Sequence, residues 1–148
     1  MDIRAQLNEA LKDAMRSGDT VRKTTIRMSL AAIKQAEVDR REDVDEPAII
    51  ALLQKEVKNR KEALEEARQA GRDDLVEANQ AEIAVLEDFL PEAMSADELR
   101  EIVKAAIAET DASTPADMGK VMKVAMAKVA GRAPGGEISA LAKELLSG

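Results

Sequence analysis

Apolar residues recur along this chain at the three- and four-residue steps that are typical of one face of an α-helix. In the first segment Ile3, Leu7, Leu11 and Met15 follow four-residue steps along one face, and Gly18 is well placed to end the helix. The same kind of spacing predicts a second helix over residues 20–41, with Ile26, Leu30 and Ile33 on one side. No long segment shows the alternation of apolar and polar residues that indicates a half-buried strand. The pattern therefore predicts an all-α protein.

The next two apolar stripes are separated by a short glycine-containing connection and predict a helical hairpin. The first stripe has heptad-like steps and consists of Ile49, Leu53, Val57, Arg60, Leu64 and Ala67. The second stripe consists of Val76, Asn79, Ile83, Leu86 and Leu90. Gly71 lies between them, and short connections make consecutive helices antiparallel neighbours. We expect residues 49–90 to form a long antiparallel hairpin with a charged outer surface.

Pro91 ends the fourth predicted helix and marks the expected boundary between two subdomains. Residues 95–98, Ser-Ala-Asp-Glu, fit a capping box at the start of a fifth helix. Thr114 followed by proline fits the start of a sixth helix. We therefore predict a four-helix subdomain over residues 1–92 and a three-helix subdomain over residues 93–148.

Composition narrows the chemistry that these helices can perform. The 148 residues include no cysteine and no histidine. Their absence removes disulfides, thiolate nucleophiles, imidazole bases and the usual zinc ligands. The spacing of Ser139 and Lys143 is better explained as a surface helix pair than as a nucleophile and its base. We expect no catalytic residue, no cofactor, no metal site and no activity of the chain's own.

The sequence also bears on the cellular compartment and on whether the protein contacts a membrane. The first residues are amphipathic and lack the apolar core of a signal peptide. No apolar run reaches the length that spans a bilayer. We expect a cytoplasmic protein with no membrane partner.

The net charge of −7 is unevenly distributed. Residues 1–41 carry nine basic and six acidic residues, residues 42–110 carry eight and nineteen, and residues 111–148 carry five and four. An acidic chain does not favour non-specific nucleic-acid binding, so we expect no DNA partner. Because Phe89 is the one aromatic residue, any RNA partner should be a folded RNA gripped through phosphates and 2′-hydroxyls rather than by base stacking.

A basic surface is predicted in the stretch MGKVMKVAMAKVAGRAPGG, residues 118–136. On a wheel of about 100° per residue, one side carries Met118, Val121, Met122, Ala125, Met126 and Val129. Methionine is a flexible side chain that fills gaps in cores, so we expect this side to pack inward. The other side carries the candidate cations Lys120, Lys123 and Lys128.

The loop after this helix has two interpretations. Arg132 follows Gly131 in a glycine-rich loop that leads to the last helix, and helix N-termini bind phosphate. The same residues also fit an ordinary helix end in which Gly131 is the left-handed capping residue. The pattern alone favours this second interpretation. A second basic strip lies on the second predicted helix, where a solvated helix surface is again the favoured explanation. Its residues are Lys23, Arg27, Lys34 and Arg41.

Three longer stretches carry a family resemblance. They are IRMSLAAIKQAEVDRR (26–41), LLQKEVKNRKEALEEARQAGRDDLVEANQAEIAVLEDFLPEAMSADEL (52–99) and DMGKVMKVAMAKVAGRAP (117–134). Together they closely resemble the YqeY family over essentially the whole chain. The MGKVMK and GRA motifs also resemble the tail domain of the B subunit of glutamine-dependent aminoacyl-tRNA amidotransferase. The resemblance implies an all-helical protein with a smaller three-helix C-terminal part.

The resemblance also implies a function. The amidotransferase tail holds the tRNA elbow and performs no chemistry, and its motif positions match Gly119, Lys120, Met122, Lys123, Gly131 and Arg132. The family label of carbon–nitrogen ligase with glutamine as amido-N-donor is an association and not an activity of this chain. Our hypothesis is an accessory module that binds tRNA or another structured RNA. The candidate RNA-binding residues are Lys120, Lys123, Lys128 and Arg132 with Gly119 and Gly131, aided by Lys23, Arg27 and Lys34.

Two alternatives remain open at this point. One is a protein-interaction module in which the acidic 49–90 hairpin docks a partner and the basic ends only confer solubility. The other is a subunit that takes part in transamidation.

Overall fold

The computed structural model describes residues 2–147, which form α-helices joined by short connections. The α-helices are α1 (Ile3–Ser17), α2 (Thr20–Arg40), α3 (Glu46–Gln69), α4 (Asp73–Glu87), α5 (Ala96–Glu109), α6 (Met118–Val129) and α7 (Gly135–Ser147). One turn of 3-10 helix, Pro115–Asp117, precedes α6. Residues 2–147 contain no strand, which confirms the all-α prediction. The chain divides into two compact units, Met1–Leu90 and Pro91–Gly148, whereas the sequence placed the boundary after residue 92.

Aspartates begin the first three helices. The side chains of Asp2, Asp19 and Asp45 each accept the backbone N–H three residues further on, at 2.7, 3.1 and 3.0 Å. An aspartate in this position satisfies an N–H that has no partner within its helix. Gly18 ends α1 with φ +76°, a left-handed conformation that favours glycine. These local signals set the lengths of α1 and α2 and the start of α3.

The core of the Met1–Leu90 unit draws on all four of its helices. Leu7, Ile26, Ile33, Leu53 and Leu86 are at most 1% exposed. Burying a side chain of this size stabilises a fold by about 1.5–3 kcal/mol. The predicted hairpin is present, with α3 and α4 antiparallel. Leu90, which the sequence placed on the fourth helix, lies beyond the end of α4 at Glu87.

Arg60 occupies a seam position in α3 that apolar residues otherwise fill, and it is 8% exposed. Its Nε donates to Glu82 Oε2 on α4 at 3.2 Å. Its Nη1 donates to the Glu56 carboxylate and to the Glu56 carbonyl oxygen. A buried guanidinium needs such partners because desolvation of an unpaired charge is costly. Arg60 therefore links α3 to α4.

Glu37 near the end of α2 joins three segments of the same unit. Its carboxylate accepts from Arg4 Nη1 and Nη2 at 3.1 and 2.9 Å, and from the Val44 N–H at 3.1 Å. The hydrogen bonds from Arg4 and then from Val44 lower the pKa of Glu37 below its ordinary value, since both favour the charged form. This bidentate pair holds α1 against α2.

Thr25 on α2 is fully buried, and its hydroxyl oxygen has no hydrogen-bond partner among the described residues. We expect Thr25→Val to raise the free energy of unfolding by about 1 kcal/mol, because valine keeps the shape and removes an unsatisfied polar group. Urea unfolding followed by circular dichroism measures the change. The exposed neighbour Thr24 gives the matched control, and Thr24→Val should stay within about 0.5 kcal/mol of wild type. A loss of stability in Thr25→Val would show that the hydroxyl has a partner after all.

The Pro91–Gly148 unit is a three-helix arrangement with a core of short side chains. Each helix contributes three buried positions: Leu99, Val103 and Ala106 on α5, Val121, Ala125 and Val129 on α6, and Ile138, Ala142 and Leu146 on α7. One of the three buried positions on each helix is an alanine. Ser95 caps α5 as expected, accepting the Glu98 N–H at 3.2 Å.

Candidate nucleic-acid interface

The start of α6 is held by Asp117. Its Oδ2 accepts the backbone N–H groups of Ser113 and Thr114 at 3.0 and 3.3 Å. These two bonds are the main reason that the pKa of Asp117 is lowered, and the charge of Lys120 adds to the effect. The first candidate cation therefore lies one turn beyond an anchored carboxylate.

Lys120 and Lys123 form the accessible part of the predicted basic surface. Both are exposed, as is Gly119 beside them. Lys123 forms no ion pair within residues 2–147, and Lys120 is influenced by Asp117 without an ion pair. Their spacing of three residues places them on neighbouring turns of one helix face. The structure thus brings these two ammonium groups together on the solvent side of α6.

Lys128 lies elsewhere on the same helix. On the wheel it is about 140° from Lys123, and its Nζ forms an ion pair with Glu109 Oε2 of α5 at 3.2 Å. A paired ammonium has less charge to offer an external phosphate. The sequence grouped this lysine with the other two, whereas the fold turns it toward α5.

The expectation that the whole methionine side packs inward is wrong for Met126, which is 52% exposed. Val121, Ala125 and Val129 form the buried column of α6. Met126 lies about 100° around the helix from the centre of that column. Met118 and Met122 are closer to it and are half-buried.

Arg132 is a structural link as well as a candidate cation. Its Nε donates to the Glu92 carbonyl oxygen at 3.0 Å, and its Nη2 donates to Glu98 Oε2 at 3.3 Å. Its own carbonyl oxygen accepts the Met94 N–H at 2.9 Å. These bonds tie the loop after α6 to the segment that leads into α5. Sequence reasoning missed both glutamates as partners, and the nearest signal was the capping motif that contains Glu98.

The loop between α6 and α7 differs from the simple glycine cap. Ala130 is the residue that caps α6, with φ +51°, and Gly131 follows with φ +82°. At the start of α7 the N–H groups of Glu137 and Ile138 donate to the Pro134 carbonyl oxygen. Glu137 also places a negative charge in the first turn of α7. The N-terminus of α7 is therefore less suited to phosphate than the glycine-rich sequence suggested.

The second group of candidates lies on α2, in the Met1–Leu90 unit. Lys23 is half-buried, while Arg27 and Lys34 are exposed. Arg27 Nη2 lies 3.9 Å from Met15 Sδ on α1. The structure therefore separates the candidates into a pair on α6, two tethered cations and a distinct set on α2.

Residues 2–147 contain no group of three or more acidic side chains placed to hold a metal ion. None of the helices in this range has the length and apolar character required to cross a bilayer.

The sequence was compared with known protein families and curated proteins. A family model described as Yqey-like protein matches residues 4–146. Altered inheritance of mitochondria protein 41 of Lachancea thermotolerans is 41% identical over 91 residues, which cover 61% of this chain and 49% of that protein. The protein of the same name in Pyrenophora tritici-repentis is 34% identical over 130 residues, or 86% of this chain and 71% of that protein.

A third relative is an uncharacterized protein of Schizosaccharomyces pombe, 31% identical over 91 residues that cover 62% of this chain and 74% of that protein. The chain spans about half the length of several of the curated relatives that it matches. The family model, by contrast, accounts for nearly every residue of both compact units. This chain belongs to the YqeY family.

Proposed function

We propose that the chain is a non-catalytic module that binds tRNA or another structured RNA through the exposed cations of α6. The observation that carries the proposal is the pair Lys120 and Lys123, three residues apart, exposed and free of ion pairs with described residues. Phosphate contacts of this kind need accessible charge and no base-stacking aromatic. The pair also lies in the motif that resembles the tRNA-holding tail of the amidotransferase B subunit.

The other candidate residues have graded roles in this proposal. Lys128 and Arg132 contribute weakly because each is held by a glutamate of its own unit. Gly119 gives an RNA backbone close access to α6, since a Cβ there would meet no atom within 4 Å. Gly131 shapes the loop that follows α6. Lys23, Arg27 and Lys34 on α2 stay ancillary predictions.

The cellular setting belongs to the proposal as well. Association with tRNA-dependent amidotransferase chemistry would place this chain beside the ligase, with the reacting groups supplied by other subunits. We propose the cytoplasm as the location, while the names of its fungal relatives assign those proteins to mitochondria.

Titration of labelled tRNA at several salt concentrations tests the proposal. Each phosphate contact adds about −0.7 to −0.9 to the slope of log K against log salt. We expect Lys120→Ala/Lys123→Ala to make the slope shallower by roughly two contacts. Lys55→Ala/Lys58→Ala, an exposed pair with the same spacing on α3, should behave like wild type. Arg132 is kept as arginine in every variant of this experiment, because its substitution would loosen the loop between α6 and α7.

Equal binding by wild type and both double variants would overturn the RNA proposal. The alternative, a protein-interaction module that docks through the 49–90 hairpin, would then be favoured.

That hairpin offers a surface for such a partner. At the end of the α3–α4 hairpin a shallow groove of about 470 Å³ is lined by Ala63, Ala67, Ala70 and Leu75, together with polar residues. Leu75 is 42% exposed there.

A further inference from the structure

One face of α2 carries a stripe of exposed residues with heptad spacing, quite apart from the face that builds the core. Its positions follow steps of three, four, three, four and three: Val21, Thr24, Met28, Ala31, Gln35 and Val38. All six are exposed, and Val21, Met28 and Val38 reach 46%, 50% and 62%. At about 1.5 Å per residue the stripe is roughly 25 Å long. No described element covers it.

The stripe is separate from the side of α2 that packs in the core. The core face of α2 is formed by Thr25, Ile26, Ser29 and Ile33, all at most 2% exposed. Single exposed apolar residues are ordinary on protein surfaces. This stripe differs because Val21, Met28, Ala31 and Val38 recur at coiled-coil spacing and so offer apolar contacts to another helix, with Thr24 and Gln35 as polar positions between them. Met15 of α1 adds a further exposed apolar side chain, since its Sδ lies 3.9 Å from Arg27 Nη2 at the edge of the stripe.

Basic residues border this seam on one flank. Arg27 and Lys34 lie seven residues apart on this flank, and Arg41 follows as the residue that caps the end of α2. All three are exposed and form no ion pair within residues 2–147. The opposite flank carries Asp39, whose Oδ1 accepts from Gln35 Nε2 at 2.9 Å. Charges beside a helical seam select the partner and its orientation. The basic flank of Arg27 and Lys34 therefore favours a partner helix that carries carboxylates on the side facing it.

A second copy of the chain fits this face poorly. In an antiparallel pair of α2 helices about a two-fold axis, the basic column of each copy would face the same column of the other. Like charges in facing positions are destabilising. In a parallel pair the column would face the flank that holds Thr25, which is fully buried, and Asp39, which Gln35 already engages. The antiparallel arrangement supplies the column with no carboxylate, and the parallel arrangement supplies only Asp39.

We propose that the exposed stripe of α2 docks an acidic amphipathic helix of a partner protein. Apolar residues of that helix at three- and four-residue steps pack on Val21, Met28 and Val38, as in helix-in-groove recognition. Its Asp and Glu side chains lie beside Arg27 and Lys34. The exposed methionines suit such a surface because their flexible side chains adapt to a partner. This surface lies in the Met1–Leu90 unit and does not depend on RNA binding by α6. It assigns Arg27 and Lys34, the ancillary RNA-binding candidates, to the partner helix instead of to RNA.

The test uses the full-length chain and two synthetic peptides of three heptads. Both have leucine at the seam positions; one has glutamate on the flank and the other lysine. Fluorescence anisotropy measures binding below the concentration at which the peptides self-associate. The glutamate peptide should bind at least about tenfold more tightly, a difference of about 1.4 kcal/mol. In a methyl-labelled sample it should shift the Met28 and Val38 signals.

Matched variants separate the seam from the flank. Met28→Gln/Val38→Gln should weaken the binding of the glutamate peptide about tenfold or more. Met126→Gln, at an equally exposed methionine in the other unit, should not. Arg27→Glu/Lys34→Glu should reverse the preference toward the lysine peptide, whereas Lys55→Glu/Lys58→Glu on α3 should leave it unchanged. Circular dichroism confirms that each variant is folded.

Three outcomes would overturn the inference. The first is that neither peptide binds, or that both bind alike. The second is self-association of wild type in analytical ultracentrifugation that Met28→Gln/Val38→Gln abolishes, which assigns the stripe to a second copy. The third is a shift of the Met28 and Val38 methyl signals by tRNA, lost in Arg27→Glu/Lys34→Glu, which assigns this face to RNA.

Discussion

Arg60→Ala is expected to lower the free energy of unfolding of the Met1–Leu90 unit by about 2–4 kcal/mol. The guanidinium links Glu56 on α3 to Glu82 on α4 within a seam that is otherwise apolar. Its removal leaves both carboxylates without the cation that they share and also removes the buried aliphatic stem. The loss should fall below that of a fully buried pair, because the two glutamate side chains are 27% and 31% exposed and regain some water.

Urea unfolding followed by circular dichroism measures this effect. Arg68→Ala provides the control on the same helix, since Arg68 pairs with Glu65 at the surface and is 58% exposed. A surface pair contributes about 0–1 kcal/mol, so this control should stay close to wild type. Arg60→Met keeps an apolar stem in the seam, so its loss of unfolding free energy should lie between the losses of Arg60→Ala and Arg68→Ala. Equal effects of Arg60→Ala and Arg68→Ala would show that the buried pair contributes no more than a surface pair.

Ile138→Ala is expected to destabilise the Pro91–Gly148 unit by about 2–5 kcal/mol. Ile138 is 1% exposed and belongs to a core cluster whose buried members include four alanines. Small side chains have little freedom to move into the space that the deletion leaves, so a cavity should persist. In a unit of this size the loss is a large part of the total stability.

Native-state hydrogen exchange resolves where the loss occurs. Amide protection should fall in α5, α6 and α7 and persist in α1 to α4, because each compact unit has its own core. Ile102→Ala on α5, where the side chain is half-buried, should give a smaller loss in the same unit. An equal fall of protection in both units would show that the chain unfolds as one cooperative body.

Much of the secondary structure was predictable because its causes are local. The steps from Ile3 to Leu11 identify a helix whatever it packs against, and Gly18 ends it because glycine adopts the left-handed conformation readily. Ser95 likewise marked the start of α5 from its place before the apolar residues. The short connection at Gly71 predicted the hairpin, since it leaves consecutive helices no room to separate.

The candidate site was predictable only in part, because accessibility and pairing depend on distant residues. Lysines at 120, 123 and 128 look alike in the sequence, yet Lys128 alone meets Glu109 from another helix. Arg132 looked like a loop cation, and its bonds to Glu92 and Glu98 span 40 and 34 residues. No local pattern encodes such distances.

The sequence by itself determined the helices, the helical hairpin and the family, because periodicity, caps and motifs act over a few neighbouring residues. The apolar spacing placed Ile26, Leu30 and Ile33 on one side of α2, and this side packs in the core. Only the tertiary structure decided whether a second side of α2 is also covered. Ile26 and Ile33 are at most 1% exposed, whereas Met28 and Val38 face solvent. The choice follows from the packing of α1, α3 and α4 against α2, which is a property of the assembled core.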